Sequence, residues 1–445
     1  MSDSASPRKH AQGLRQQLGD LVRPLLRELD ATLDKRLVET FFRTLQVMVI
    51  HRHNRYGLLL SELGGYLLDP EHAPAGTKRI SNLLRSRKWS ASLIAAFLWR
   101  QADQAVTRLE SDGKLALAIW DESVLEKPES LALEGLGPVR SSRAARLKRI
   151  KPGFYTPPGG APVFVPGMEW LSLLVVGLQD VPVLAAMQWW TSRGKGASDR
   201  ARQRHSLLTS CASAWAQRIV HVFDRGFAGS PWLGHLLTHP VVFILRWKTK
   251  QHLVDEKGKR PAWHISRGKR SLDHRLIWDA RRRCQRKTGI VFVPVTHPDY
   301  PDQPLTLVVS RPGKGRHPWY LLTNMPVVSV EAAWQVLLAY ARRWQIEMTY
   351  RCAKTELAME SPRLWKWDNR LKLLGMVTLV YAFLLSLLAP HLTALRTWLL
   401  RTFCHRTGKR HRDAPMPLYR LRSALSQLWL RYPDPIPLPL AQSSG

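Results

Sequence analysis

The sequence predicts a mixed α/β fold with a helical segment in front of it and a β-rich insertion within it. Apolar residues recur at helical spacing within the first 110 residues. Beyond them, short apolar runs of strand length alternate with helical stretches, which is typical of a sheet covered by helices. From 251 to 327 charged, Pro- and Gly-containing sequence surrounds further strand-like runs, which indicates the insertion.

Residues 1 to about 20 are polar and expected to be frayed, and residues from about 20 to 110 are predicted to be helical. Leu37, Phe41, Leu45 and Met48 recur at helical spacing. The stretch Gly76–Trp89 is predicted to be a basic helix preceded by a turn. A short helix with Arg and Lys on one face suits the major groove of DNA, but the same pattern is typical of a solvated helix face.

The central part is predicted to hold five buried strands and one helix, which spans about 200–217. Each strand is a largely apolar run of six to ten residues, and turn residues separate the second from the third. The first and fourth runs are each followed directly by an Asp. The predicted strands are Lys114–Trp120, Trp170–Val176, Val181–Trp190, Arg218–Phe223 and Pro240–Lys248.

The insertion carries three strand-like runs, at Ile290–Val295, Leu305–Val309 and Trp319–Leu322. A long helix is predicted after it, from about Ser329 to Ala358. The stretch Leu373–Pro390 carries no charge and is at the short limit for a membrane span, but a helix buried in a large core is the favoured interpretation.

The charge of the chain points to a polyanionic partner. Lys and Arg number 67 against 34 acidic residues among 445, a formal net charge of +33. Such an excess favours nucleic acid, with an acidic membrane surface as the alternative. The four cysteines form no CxxC pair, so a zinc site or disulfide framework is not expected and a reducing compartment fits. The polar start shows no signal peptide.

Two acidic residues stand where functional groups gather in α/β sheets. Asp121 and Asp224 each follow a predicted buried strand, and ligands bind at strand ends in such folds. If the two strands are neighbours, about 4.8 Å apart, their carboxylates can share a cation. Hard oxygen ligands suit Mg²⁺ or Mn²⁺. The alternative is that each Asp only caps a turn.

The predicted long helix adds a third acid to this pair. Tyr340, Arg343, Glu347 and Lys354 are separated by steps of three, four and seven residues, which places them on one helix face. A separate apolar stripe is predicted to be buried, formed by Leu337, Ala341, Trp344, Met348 and Cys352. A carboxylate between cations suits a metal next to phosphates, whereas intrahelical ion pairs would explain the charges alone.

The spacing Tyr-x2-Arg-x3-Glu-x6-Lys resembles the YREK signature of bacterial insertion-sequence DDE transposases. Asp121 in an apolar strand and Asp224 in the sequence DRGFAG resemble the two other acids of that family, in the same order. The resemblance extends from about Lys114 to Pro390.

This resemblance implies a fold and a domain organisation. It implies an RNase H-like core in two parts, 111–250 and 328–395, the second carrying the catalytic helix. The β-rich insertion, 251–327, lies between them. We expect a helical DNA-binding domain before the core, 1–110, and a basic C-terminal region with a Pro-rich tail after it, 396–445.

The resemblance also implies roles for single residues. Asp121, Asp224 and Glu347 would be catalytic and hold two Mg²⁺ or Mn²⁺ ions. Tyr340, Arg343 and Lys354 would contact DNA. The expected partners are the transposon terminal repeats and target DNA, bound by a homodimer in a paired-end complex. A cytoplasmic, nucleoid-associated bacterial protein without membrane contact is expected.

Trp319 is a further DNA-binding candidate. In hairpin-forming relatives a Trp of the insertion stacks on a flipped base, and Trp319 occupies a similar place before the catalytic helix. Trp263 and Trp278 are rivals, and a core Trp is the plain alternative because the chain has 18.

Three other functions remain compatible with the sequence. A catalytically decayed or repurposed DNA-binding protein would keep the fold and lose the chemistry. A resolvase-like nuclease of the same fold would not need Tyr340 and Lys354 at these spacings. A membrane-surface protein would insert Leu373–Pro390 into lipid.

Overall fold

The computed structural model describes most of the chain. The described residues are 6–51, 56–127, 130, 132–144, 162–194, 197–279, 284–313, 317–404 and 417–433, with the side chains of 278 and 279 left out. The Pro-rich tail, the basic run Arg281–Arg283 and the side chain of Trp278 therefore lie outside the described part.

The N-terminal segment is helical, with its apolar faces packed on one another. Its first helix begins at Pro7 and buries Leu14 and Leu18, so the expectation that residues up to about 20 are frayed is wrong from Pro7 onward. Ser6 and Asp34 cap the first two helices by accepting backbone N–H bonds with their side chains, which satisfies donors that a helix start leaves open. The helices are α1 (Pro7–Asp30), α2 (Lys35–Ile50), α3 (Leu60–Leu67), α4 (Ala73–Arg85) and α5 (Ala91–Ser111).

A mixed sheet of 12 strands in the described residues forms the centre of the protein, which confirms the predicted mixed α/β class. Its order is β2-β3-β1-β5-β6-β12-β11-β10-β7-β8, with β4 on β3 and β9 on β10. The strands are β1 (Leu117–Glu126), β2 (Gly137–Arg140), β3 (Phe164–Val176), β4 (Val183–Trp190), β5 (Val220–Phe223), β6 (Val242–Arg246), β7 (His252–Asp255), β8 (Gly258–Pro261), β9 (Asp273–Asp279), β10 (Cys284–His297), β11 (Tyr300–Arg311) and β12 (Tyr320–Thr323).

The strands of the predicted insertion continue the central sheet. β12 pairs antiparallel with β6, so that Leu322 lies opposite Leu245. β11 and β10 follow in antiparallel order. The range 251–327 is therefore β-rich and hydrogen-bonded to the rest of the sheet, while its boundaries as a domain stay a prediction.

Alternate residues of β1 enter two different cores, because side chains point to opposite faces of a strand. Leu117 and Ile119 belong to the core shared with α1 and α2 and the helices after residue 330. Ala118 and Trp120 belong to the core on the other face. The helices between and beyond the strands are α6 (Arg200–Trp215), α7 (Ser230–Leu237), α8 (Ala262–Ser266), α9 (Val330–Ala341), α10 (Trp344–Arg351), α11 (Trp367–Ser386), α12 (Thr393–Thr402) and α13 (Leu418–Arg431).

The prediction that the first strand ends before Asp121 is wrong. β1 runs on to Glu126, and its pairing with β3 continues through Asp121 opposite Ser172. The apolar run ends at Trp120 because the residues after it are only partly buried, not because the strand ends. Asp121 is thus an interior strand residue.

The prediction of one long helix from Ser329 to Ala358 is also wrong. α9 ends at Ala341 and α10 starts at Trp344, and the joint between them closes with i→i+3 backbone bonds such as Arg343 N–H to Tyr340 C=O, 3.0 Å. A π-helical turn, Cys352–Glu356, follows α10. Because these turns do not have 3.6 residues each, the side chains that follow them point in other directions around the helix axis than a regular α-helix would give.

The winding change replaces the predicted apolar stripe. Trp344 is exposed and Met348 only half-buried, so the stripe is wrong at these positions. The buried side of α10 is formed by Gln345, Ile346, Thr349 and Tyr350.

The uncharged stretch forms most of α11. By length and composition this helix could cross a membrane, but 78% of its most apolar 18-residue segment is buried inside the protein. Arg370 and Lys372, at its start, are buried as well, and both donate to backbone carbonyls. The burial agrees with the interpretation of α11 as a core helix.

Helices α3 and α4 touch through two glycines. A Cβ added to Gly76 would lie 2.2 Å from the Gly64 carbonyl oxygen, and one added to Gly64 would lie 2.5 Å from the Thr77 nitrogen. Both obstacles are backbone atoms, which cannot rotate away. The two helices therefore approach as closely as they do only because both positions lack a side chain.

Gly76→Ala is expected to lower the free energy of unfolding by about 1–3 kcal/mol, since the added methyl overpacks a backbone contact. Thermal unfolding followed by circular dichroism measures the change. Gly13→Ala is the matched control, because a Cβ there meets nothing within 4 Å and Ala favours a helix over Gly by roughly 0.5–1 kcal/mol. A Gly76→Ala protein as stable as wild type would contradict the close contact.

Candidate active site

Asp121 and Asp224 lie side by side because β1 and β5 are parallel neighbours. In their register Ile119 is opposite Val222, and each Asp follows two residues later along its own chain. Neighbouring strands are about 4.8 Å apart. We predicted that the two carboxylates can share a cation if their strands are neighbours, and the sheet meets this condition.

The Asp224 carboxylate also caps a turn, which was the alternative to cation binding in the sequence analysis. Its Oδ1 accepts a 2.6 Å hydrogen bond from the Gly226 N–H, at the start of the 3₁₀ turn Arg225–Phe227. Capping uses one of the two carboxylate oxygens, and a carboxylate has lone pairs left for a cation. The two roles are compatible.

Helix α10 packs against β1 and is fixed there by Tyr350. The Tyr350 hydroxyl donates to the backbone carbonyl of Asp121. The Tyr350 ring lies edge-on to Trp170 of β3, with centroids 4.6 Å apart. This contact sets the distance between α10, which carries Glu347, and the strand that carries Asp121.

Arg343 lies between two of the three acids. Its Nη1 is 3.4 Å from Asp121 Oδ2, and its Nη2 donates to Glu347 Oε1. The side chains of Arg343 and Asp121 are 15% and 16% exposed, whereas that of Glu347 is 59% exposed. Arg343 therefore bridges the largely buried carboxylate of Asp121 and the exposed carboxylate of Glu347.

The Asp121 carboxyl holds its proton more tightly than an ordinary Asp. Burial raises its pKa to about 7, and the charges of Asp224 and Glu347 raise it further against the opposing charge of Arg343. The positive charge of Arg343 therefore offsets only part of the effect of burial and of the neighbouring negative charges on Asp121.

The donor chemistry fits a hard divalent cation, but the donors are not gathered around one. No group of three His, Cys, Asp or Glu side chains among the described residues is close enough to hold a metal ion as it stands. The charges of Asp224 and Glu347 both raise the pKa of Asp121, so the three carboxylates are near enough to repel one another. A cation among them would relieve their repulsion, and Glu347 would have to exchange Arg343 for it.

Tyr340 and Trp319 contact each other beside Arg343. Their ring centroids are 5.0 Å apart at 69°, an edge-to-face contact. The guanidinium of Arg343 is 6.0 Å from the Tyr340 ring centre. Tyr340 is buried and Trp319 is half-buried, so the contact of Tyr340 with DNA stays a prediction that requires its hydroxyl to become accessible.

Lys354 lies in the π-helical turn, further along β1 than the acids. Burial lowers its pKa, and the charges of Glu360 and Glu126 act in the opposite direction. Glu126 is the last residue of β1, five positions beyond Asp121. The four signature residues are thus spread over the end of α9, the joint, α10 and the π-helical turn instead of along one straight face.

Two residues of this region were not expected from the sequence. Tyr350 carries the anchoring hydrogen bond, and no local pattern marks a tertiary contact of that kind. Glu122, on the opposite face of β1, accepts two 2.6 Å hydrogen bonds from Arg204 of α6. A bidentate pair of this geometry fixes α6 on the sheet behind Asp121.

Of the rival tryptophans, Trp263 is 41% exposed and lies beneath the guanidinium of Arg267, 5.8 Å from the ring centre. It lies on α8, which packs against β7, β8 and β10. Trp319, by contrast, touches a signature residue.

Comparison with known proteins gives a match to a family model and likenesses to solved structures. Residues 191–383 match the family model of the transposase DDE domain. This range includes Asp224, Glu347 and the other signature residues, and it begins after Asp121. The match supports a DDE-type transposase; the bacterial insertion-sequence origin and the YREK signature stay predictions.

A structural likeness is found to piggyBac transposase in a synaptic complex with hairpin DNA. It covers 97% of this chain and 83% of that chain, at 13% sequence identity and a TM-score of 0.42.

Asp121→Asn is expected to stabilise the metal-free protein increasingly as pH rises from about 4 to 7. The native state keeps the Asp121 proton up to a pKa of about 7, whereas the unfolded state loses it near the ordinary value of 3.8. The wild type therefore loses stability over this window, on the order of 2–4 kcal/mol, and Asn cannot ionise. Thermal unfolding at several pH values in chelator measures the difference.

Asp302→Asn is the control, since Asp302 is an exposed residue of β11. Its unfolding temperature should follow that of wild type at every pH. A stabilisation by Asp121→Asn that does not change with pH would refute the raised pKa. Adding Mg²⁺ at pH 8 should stabilise wild type and leave Asp121→Asn nearly unchanged.

Proposed function

We propose that this chain is a DDE transposase that binds transposon ends, cleaves them and joins the freed 3′-OH ends to target DNA. The observation that carries the proposal is the pairing of β1 with β5, which puts Asp121 beside Asp224, with Glu347 held near them by α10. The match of residues 191–383 to a transposase DDE domain supports it. The core is proposed to be RNase H-like.

Asp121, Asp224 and Glu347 would hold two Mg²⁺ or Mn²⁺ ions, whose Lewis acidity would stabilise charge on the attacking and leaving oxygens. Glu347 is the acid that can adjust, because its side chain is largely exposed. Asp121 is fixed within a paired strand. Two acids set by the sheet and one set by a helix allow the site to close on its substrate.

Arg343 has two roles in this proposal. Without DNA it neutralises part of the charge of Asp121 and Glu347. With DNA bound, it would turn to a phosphate, which a guanidinium binds through paired hydrogen bonds. Tyr340 packs beside it and limits where it can turn, and Lys354 would bind a phosphate further along β1.

The partners are proposed to be the terminal repeats of an insertion sequence and target DNA, bound by a homodimer in a paired-end complex. The net charge of +33 supplies the attraction for phosphate, and it acts irrespective of base sequence. A bacterial, nucleoid-associated cytoplasmic protein follows from this assignment.

Glu347→Ala is expected to abolish cleavage of the DNA that flanks this reading frame, while end binding changes little. The variant removes a metal ligand and leaves the fold intact, since the side chain is 59% exposed. Purified proteins are incubated with the flanking duplex in Mg²⁺, Ca²⁺ or chelator, and the products are separated on a denaturing gel.

Glu256→Ala is the control, because it removes an exposed carboxylate from the turn between β7 and β8. It should cleave like wild type. Loss of end binding together with cleavage in Glu347→Ala would count against the metal-ligand role. Binding without any wild-type cleavage in Mg²⁺ or Mn²⁺ would indicate the repurposed DNA-binding protein instead.

Trp319→Ala is expected to reduce hairpin formation at the cleaved end more than the first nick. A flipped base would need the Trp319 ring as a stacking platform only after the nick, and such stacking contributes about 1–3 kcal/mol per base. The two products are resolved on the same gel. Trp263→Ala should leave both steps unchanged, and equal damage to both steps by Trp319→Ala would show that Trp319 only packs on Tyr340.

A further inference from the structure

Helices α3 and α4 form a rigid pair of the helix-turn-helix kind. The two backbones touch at Gly64 and Gly76. The connection of a few residues is closed by Asp69, whose side chain accepts a 2.8 Å hydrogen bond from the His72 N–H just before α4 begins. Two short helices joined by a tight turn and packed through glycine are the form in which proteins present a second helix to DNA.

The end of α4 is tied to the core. The Lys372 ammonium of the buried helix α11 donates to the carbonyls of Leu84, 3.0 Å, and Ser86, 2.7 Å. The Trp89 indole donates to the Leu83 carbonyl at 2.8 Å. Bonds to the last carbonyls of a helix satisfy acceptors that it leaves open. They also fix the direction of α4 relative to the part of the chain that carries the acids.

The two faces of α4 differ completely. Gly76, Ile80, Leu83 and Leu84 are buried. Lys78, Asn82 and Arg85 are exposed and recur at steps of four and three, so that they share the opposite face. The structure gives these three side chains no hydrogen bond or ion pair within the described residues. Three polar side chains thus project from a helix whose other side is buried.

We propose that α4 is a recognition helix and that Lys78, Asn82 and Arg85 read base edges in the major groove of duplex DNA. Arg and Lys bind the O6 and N7 acceptors of guanine, and Asn binds the N6 and N7 of adenine through paired hydrogen bonds. Arg87 and Lys88, exposed directly after the helix, contact phosphates and set its register. The inference rests on the proposed action on DNA, but not on its cleavage chemistry.

The amide of Asn82 distinguishes base recognition in DNA from charge attraction alone. A membrane or an arbitrary polyanion is bound by cations and gains little from Asn. A duplex RNA offers a major groove too deep and narrow for side chains to read. A face with two cations and one amide on a rigid helix suits the wide major groove of DNA.

The experiment is selection from a library of random duplexes, carried out in chelator so that no cleavage occurs. The wild-type full-length chain should select a short consensus. The triple variant Lys78→Ala, Asn82→Ala, Arg85→Ala should select none. Its affinity for the wild-type consensus should fall toward that for a scrambled duplex, with the ratio of the two reduced about 10-fold or more. Asn82→Ala alone should relax one or two positions of the consensus.

The matched control is the triple variant Arg8→Ala, Lys9→Ala, Gln12→Ala. It removes two cations and one amide from exposed positions of α1. It should select the wild-type consensus, with affinity reduced equally for all duplexes. Circular dichroism confirms that both triple variants are folded, which is expected because every replaced side chain is exposed.

Two outcomes would overturn the inference. One is that wild type selects no consensus, and the other is that the α4 variant selects the same consensus as wild type. Neither depends on catalysis. If wild type selects a consensus through α4 but never cleaves DNA, the recognition helix stands and the transposase proposal fails.

Discussion

The parallel pairing of β1 with β5 is the constraint on which the candidate site depends. It brings together two acids that are more than a hundred residues apart in the chain, and it does so with backbone hydrogen bonds that both strands need in any case. Because β1 continues through Asp121 and pairs there with β3, the backbone that carries this carboxylate is fixed in place. The third acid can then be carried by a helix without making the site loose.

The electrostatics of the site follow from this placement. Carboxylates that lie close together need positive charge beside them, and Arg343 supplies part of it from the joint between α9 and α10. The remaining imbalance is seen in the pKa of Asp121, raised by burial and by its acidic neighbours to about 7. An arrangement that is short of positive charge when no cation is bound favours the binding of a cation, at some expense in the stability of the cation-free protein.

Two buried cations of α11 connect it to other parts of the chain, Lys372 to the helical segment and Arg370 to the loop before β2. Lys372 and Arg370 are buried on α11 and use their charges on backbone carbonyls, which costs less than leaving either the cation or the carbonyls without a partner. Through Lys372 the end of α4 is fixed to the helix that follows the acids. The exposed face of α4 and the candidate site are thereby parts of one framework.

Sequence alone determined the mixed α/β class, the helical N-terminal segment and the acids as candidates, because strand-length apolar runs, helical spacing and an Asp directly after an apolar run are local signals. It placed Tyr340, Arg343, Glu347 and Lys354 on one face by assuming an unbroken helix. The i→i+3 bonds at Arg343 and the π-helical turn at Lys354 changed that angle. Such changes accompany contacts with distant residues, as when Tyr350 donates to the Asp121 carbonyl, and spacing along the chain carries no information about those partners.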